Sequence, residues 1–372
     1  MAGPEIAART LCECLVFTIS PADTSALRLR LLGGFWEDVL DAAESHGLSA
    51  ALADAVGRRG LTAGIPALRH ADGGATPPQA LAEALARHRT NREARLARLV
   101  ELTRLLNASG MEPLLLKGAR SLWTGNPEWR AMGDLDLLVP GRADEAQRIA
   151  TAAGYAPAVG QENPEYWHHE LNLYRADLPG WLEFHDRGAM YRAEILLPTP
   201  MLVDESIRVT GPGGGMARVL PVPLDTLYCV VHHHISHRGD KFGIMSLKGL
   251  YEFAGAVHAM DEAERAALLD AARRHPRLLA MLDLWLAAAA ERLAMPIVAP
   301  LTLAADAAAR WRRIDGREAR RQNYDGLLGE IAMSLSGPRL RRANGGDSWW
   351  GRQKLRARAL QALVAPSTVS EA

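Results

Sequence analysis

What this chain lacks narrows its class before any motif is read. Its 372 residues hold 43 Lys and Arg against 43 Asp and Glu, so it has no overall basic field of the kind that marks a dedicated nucleic-acid binder. Any nucleic-acid contact has to be local. Cysteine is scarce: Cys12, Cys14 and Cys229 are the full set. An odd number without paired spacing argues against a disulfide framework or a structural zinc site and fits a reducing cytoplasm. No apolar run reaches the ~18 residues of a membrane span. The N-terminus carries Glu5 and Glu13 where a targeting segment would be basic, so neither a leader nor a membrane partner is expected. Internal repeats are absent too. What the chain does have is apolar material, 48% of its residues, enough for cores in two or three domains.

The patterning divides the chain into four parts. Residues 1–107 read as helical. Leu27, Leu31, Phe35, Val39 and Leu40 recur at three-to-four spacing, and an Arg- and Ala-rich helix is predicted from about Pro78 to Asn107, ending at Ser109-Gly110. Residues 108–210 change character. Leu114-Leu115-Leu116 and Leu135 to Val139 read as strands around a short helix at Ala119 to Thr124, Asp144 to Ala153 as a helix, and Glu170 to Arg175 with Trp181 to His185 as two more strands. The glycines at Gly211 and Gly213 to Gly215 mark a loop, after which residues 211–336 return to helix. Residues 337–372 form a basic tail with Trp349-Trp350 in its midst. The fold class expected is α+β, a small mixed sheet held between two helical regions.

The chemistry concentrates in the strand regions. Residues i and i+2 of a strand share a face, so Asp134 and Asp136 project side by side, roughly 6.5 Å apart. Leu135 and Leu137 turn to the opposite face, toward a core. Two carboxylates that close repel unless a cation sits between them, and a divalent metal is the usual one. Spacing alone leaves this even with a polar strand edge. Glu183, alternating with Leu182 and Phe184, is a third acid that a hairpin could bring beside the pair, with Asp186 as a fallback on the other face. Three carboxylates on neighbouring strands can hold two Mg²⁺ ions, one activating a hydroxyl and one stabilising pyrophosphate. Upstream, Lys117-Gly118 at a strand-to-helix turn suits phosphate, Gly118 by letting backbone N–H groups approach and Lys117 by its charge. Arg130 could clamp a phosphate or pair with Asp134. Substituting Asp136→Asn is expected to remove a metal ligand with little effect on the fold.

The order Leu-Leu-Lys-Gly, a spacer, Arg-x-x-x-Asp-x-Asp-Leu-Leu-Val, a helix, Gly154-Tyr155 and then a strand carrying acid-x-His resembles the uncharacterised nucleotidyltransferase family of the DNA polymerase β-like superfamily. The resemblance implies a small nucleotidyltransferase sheet and transfer of NMP from an NTP, most naturally ATP, with pyrophosphate leaving. It implies Asp134, Asp136 and Glu183 as catalytic metal ligands for two Mg²⁺ ions, with Mn²⁺ as a substitute. Lys117, Gly118, Arg130 and His185 would lie at the nucleotide. The family commonly carries Asp-x-His where this chain has Glu183-Phe184-His185. The acceptor, a peptide natural product, protein, RNA or small molecule, is not named by any motif.

Two further features have bland readings beside sharp ones. His232, His233, His234 and His237 fall on a predicted helix, where His233 and His237 share a face at i,i+4. They could bind zinc, contact nucleotide or acceptor, or simply pack, and the absence of Glu among them favours packing. His168-His169 reads as strand surface, and the tail as a solvated basic segment or a nucleic-acid contact. The rival activities are phosphoryl transfer on the same fold, a non-catalytic nucleotide-binding scaffold, and a zinc hydrolase built on the histidines.

Overall fold

The structure is a computed structural model and describes residues 4–17, 21–31, 36–61, 77–125, 128–157, 172–178, 180–189, 191–236 and 245–321. Four helices open the chain: α1 (Pro4–Leu15), α2 (Pro21–Arg30), α3 (Trp36–Ser45) and α4 (Ser49–Arg59). Gly60, at φ 58°, closes α4, and its N–H reaches back to Gly57 O as a left-handed cap requires. Then comes α5 (Pro77–Ala108), 32 residues and so ~48 Å long.

Strand β1 (Leu114–Leu116), helix α6 (Lys117–Thr124), β2 (Asp134–Leu138), α7 (Ala143–Ala152), β3 (Ala156–Pro157), β4 (Leu173–Tyr174) and β5 (Trp181–His185) build most of the sheet. Short helices α8 (Tyr191–Glu194) and α9 (Thr199–Asp204) lead to β6 (Ile207–Thr210) and β7 (Met216–Val219). The described residues that follow are mainly helical: α10 (Val222–Val231), a π-helical turn at His232–Ser236, α11 (Leu247–Ala259), α12 (Glu262–Arg273), α13 (Pro276–Leu293) and α14 (Ala307–Arg321). No helix among the described residues is long and apolar enough to cross a membrane.

The sheet has seven strands in the order β3-β4-β5-β2-β1-β7-β6. It is mixed: β2 is antiparallel to β1 but parallel to β5, and β1 is parallel to β7. The expected α+β class is therefore found. The hairpin expected to deliver Glu183 exists as β4 and β5, but delivery comes from the parallel pairing of β5 with β2, reached through a crossover over α7. The β6–β7 hairpin was not expected. Its turn holds Gly211 and the 3₁₀ segment Pro212–Gly214, and its strands are short, with Ile207 exposed at the edge, so neither length nor alternation announces them. The sheet accordingly continues to Val219.

Period-two alternation splits the sheet between two cores. Leu115, Leu135, Leu137, Leu182, Phe184, Ala217 and Val219 face a core completed by Leu99, Leu102 and Leu106 of α5 and by α6 and α7. Leu114, Leu116 and Leu138 face the other core, which the N-terminal helices (Leu11, Leu27, Val39, Leu52) share with the C-terminal ones (Leu227, Leu250, Phe253, Trp285). The two helical regions thus close over one face of the sheet together. Helix α5 ties both cores, with Leu81 in one and Leu99 in the other. The acid positions lie on the face shared with the larger core, where sheet meets C-terminal helices.

Candidate active site

The register of β2 and β5 sets the geometry. Asp136 lies opposite Glu183 and Leu138 opposite His185, so the side chains of Asp134, Asp136, Glu183 and His185 occupy one face at neighbouring positions, on strands ~4.8 Å apart. Asp136, Glu183 and His185 offer ligand atoms that all lie within 4.8 Å of one another. Asp134 is less buried and stands one step toward the mouth.

Asp136 is fully buried, and its Oδ1 takes two partners. Lys117 Nζ donates at 2.7 Å and His185 Nε2 lies at 3.0 Å. An ionised carboxylate only accepts, so the imidazole tautomer here carries its proton on Nε2. His185 Nε2 is also 3.6 Å from Glu183 Oε2. Asp136 Oδ2 is buried without a hydrogen-bond partner.

These contacts drive the charges apart. Burial works against the Asp136 carboxylate, but Lys117 and His185 outweigh it and hold the group well below the ordinary range. Burial likewise opposes the Lys117 ammonium, and Asp136 more than offsets it. Asp134 is raised by the charge of Asp136 and then by burial, against Lys117 and Lys248. Glu183 is raised furthest, to about 8, by burial first and then by Asp136 and Asp134. Adjacent carboxylates with one deeply ionised and one holding its proton are the expected result of like charges sharing a small volume.

The Lys-Gly turn is held rather than loose. Lys117 sits at φ 48°, a left-handed conformation that disfavours non-glycine residues. Arg130 Nη1 donates to Lys117 O at 2.8 Å, and Arg130 Nη2 lies 3.0 Å from Glu252 Oε2, so this buried guanidinium fixes the turn to α11. Gly118 begins α6 against β2; a Cβ there would stand 2.9 Å from Met132 Cβ. Glycine at this place lets the helix start touch the strand that carries the acids. Met132 was not singled out in the sequence, and no local signal marks it.

The other sequence candidates scatter. Asp186 is exposed, its Oδ1 3.4 Å from Ala143 N at the start of α7. Tyr155 of the Gly-Tyr pair is buried between Arg98 and Arg175, whose guanidinium carbons lie 4.7 and 4.9 Å from its ring centre. His233 packs toward Trp285, ring centres 6.1 Å apart, and over Gly249, where a Cβ would come within 2.7 Å of its ring. Cys229, His233 and Glu252 form a second group with ligand atoms within 4.8 Å. Glu252 already faces Arg130 and, at 2.9 Å, Lys248, and burial pushes the Cys229 thiol up to about 12. A further cation is poorly matched there. His237, His168, His169, Trp349 and Trp350 lie outside the described residues.

The chain was compared with known proteins and families. No curated protein and no solved structure matches it. The model of the family described as "Uncharacterised nucleotidyltransferase" matches residues 34–294, a span that begins before α3, ends just after α13, and contains the whole sheet and every site residue described above. The chain belongs to this nucleotidyltransferase family.

Proposed function

We propose that this protein transfers NMP from an NTP, with ATP preferred, to a hydroxyl or phosphate of an acceptor, pyrophosphate leaving. The observation that carries the reading is the β2–β5 register, which sets Glu183 opposite Asp136 and groups both with His185 within 4.8 Å. The donor set suits a divalent cation: two carboxylates, an imidazole, and a buried Asp136 Oδ2 that no protein group satisfies. Oxygen donors favour Mg²⁺, and the imidazole makes Mn²⁺ an apt substitute. When bound, such cations supply Lewis-acid stabilisation to the α-phosphate and to the leaving pyrophosphate.

The remaining roles belong to the chain itself. Asp136 holds the centre of the donor set, and Asp134 extends it toward the mouth. His185 orients the Asp136 carboxylate through Nε2–H, or joins the donors when Nε2 is deprotonated. Glu183 stands on the acceptor side, and a carboxyl near 8 exchanges its proton in the range an acid–base group needs at neutral pH. Lys117 supplies positive charge to the β- and γ-phosphates beside the N–H groups of Gly118 and the start of α6. Arg130 acts as a positioning residue, because its two nitrogens are committed to Lys117 O and Glu252.

The decisive test uses the position of the label. Purified protein is incubated with cell lysate and ATP labelled at the α- or the γ-phosphate. Nucleotidyl transfer places only α-label in the product and releases pyrophosphate. Transfer of γ-label would overturn the reading in favour of phosphoryl transfer.

A further inference from the structure

Helix α5 turns one face toward the segment that carries the site. His88, Arg92 and Arg95, at i, i+4 and i+7, share that face. His88 Nε2 lies 2.6 Å from Glu128 O, and Arg92 Nη2 donates to Ser121 O at 3.2 Å. Arg95 sits beside the paired ends of β2 and β5. A Cβ built on Gly180 would lie 3.1 Å from both its Nε and its Nη2, and 2.4 Å from Gly133 O. Gly133 immediately precedes Asp134, and its carbonyl accepts from Trp181 N at 3.0 Å.

Arg95 and its neighbour Arg98 behave differently. Arg98 donates to Gly180 O at 3.0 Å and covers the Tyr155 ring, a structural use of a guanidinium. Arg95 is half-buried, makes no hydrogen bond or ion pair among the described residues, and its Nε is buried without a partner. A guanidinium withdrawn from water and left unpaired costs stability. Lys248 of α11, 27% exposed at its side chain, lies 2.9 Å from Glu252 Oε1. Glu252 must also balance Arg130 at 3.0 Å. Both Arg95 and Lys248 are near enough to Asp134 for their charges to be felt.

We propose that Arg95 of α5 and Lys248 of α11 clamp the polyphosphate of the substrate from opposite sides of the Asp134 mouth, Arg95 being the principal contact. A half-buried planar guanidinium that makes no hydrogen bond or ion pair among the described residues suits bidentate binding of phosphate oxygens. This inference rests on the reading of the site as an NTP site and adds which residues outside the Lys-Gly and Asp-x-Asp motifs hold the triphosphate.

The test is calorimetric titration of the full-length protein with Mg-ATP and with inorganic tripolyphosphate, alongside melting curves. R95Q is expected to weaken both ligands about ten- to hundredfold, the scale of a lost charged hydrogen-bonding group, with a melting temperature equal to or above wild type. R95K recovers part of the loss, K248Q shows a smaller one, and R148Q, an exposed substitution on α7, changes nothing. Undiminished binding in R95Q would overturn the clamp alone. So would loss of binding together with a lowered melting temperature in both R95Q and R95K, since Arg95 would then be structural. Wild-type protein binding neither ligand would overturn the clamp and the nucleotide reading together.

Discussion

On one face of β2 and β5 lie Leu135, Leu137, Leu182 and Phe184; on the other lie Asp134, Asp136, Glu183 and His185. The strands, the register and much of the shelter from solvent are common to both faces: Phe184 and Asp136 are each fully buried. The apolar face needs nothing beyond contact, because removing hydrocarbon from water is itself favourable, at about 25 cal/mol per Å². On the polar face burial is a liability, and each charge there is defined by its neighbours. Asp136 stays ionised because Lys117 and His185 hold it, while Glu183, across the strand, is driven up to about 8. One face stabilises the fold and the other stores the chemistry, separated by a single residue of alternation.

The comparison is broken most severely at Asp136. Asp136→Asn should lower nucleotidyl transfer about a thousandfold or more, since several kcal/mol of charge stabilisation would be lost. The structure also revises the expectation that this change spares the fold. The amide can accept from Lys117 but no longer balances its buried charge, so a stability loss of about 1–3 kcal/mol is expected in denaturant melts. Adding Lys117→Met should recover that stability without recovering activity. A double variant no more stable than the single one would show that the pair does not couple.

Phe184→Ala probes the opposite face one residue from Glu183. Its expected cost is about 3–5 kcal/mol of stability, through lost transfer energy and a cavity, with turnover per folded molecule retained in the cold. Fluorescence-monitored unfolding beside an activity assay checks it. Activity that vanished in fully folded protein would mean that the two faces are not energetically separable.

The last test is the pH dependence set by Glu183. Its folded pKa is about 8 against 4.5 for the ordinary side chain. Between those values the folded protein holds a proton that the unfolded chain has released, so stability falls as pH rises through this window. Asp136 works in the other direction: its lowered pKa gives stability above the ordinary 3.8 that is lost as pH falls below it. Glu183→Gln should therefore flatten the metal-free profile between about pH 4.5 and 8. Divalent cation binding to wild type near pH 7 should release protons, read as a dependence of calorimetric heat on buffer ionisation. An unchanged slope in the variant, with no proton release, would remove Glu183 from the donor set.

Much of this was legible in the chain. Helix α5 was visible because its leucine stripe runs for many turns, and β2 because apolar alternation is interrupted only at two acids that share a face. Strands β6 and β7 were not visible. They are short and lie on either side of a glycine-rich turn; β7 owes its place to pairing with β1, about a hundred positions earlier, and β6 to pairing with β7. Glu183 could be chosen from its alternation with Leu182 and Phe184, but its position opposite Asp136 is a register, which no local pattern contains.

By itself the sequence determined the periodicities: which residues turn inward, where helices end, and that Asp134 and Asp136 project to one side. Those are short-range consequences of backbone geometry and burial. Only the tertiary structure decided that Lys117 pairs with Asp136, that Arg130 braces the Lys117 turn, and that Arg95 stands beside Gly180 with its Nε unpartnered among the described residues. Charges act on whatever lies within a few ångströms of them. Residues 13, 19 and 85 apart in sequence become neighbours only when the strands have paired and the helices have closed over them.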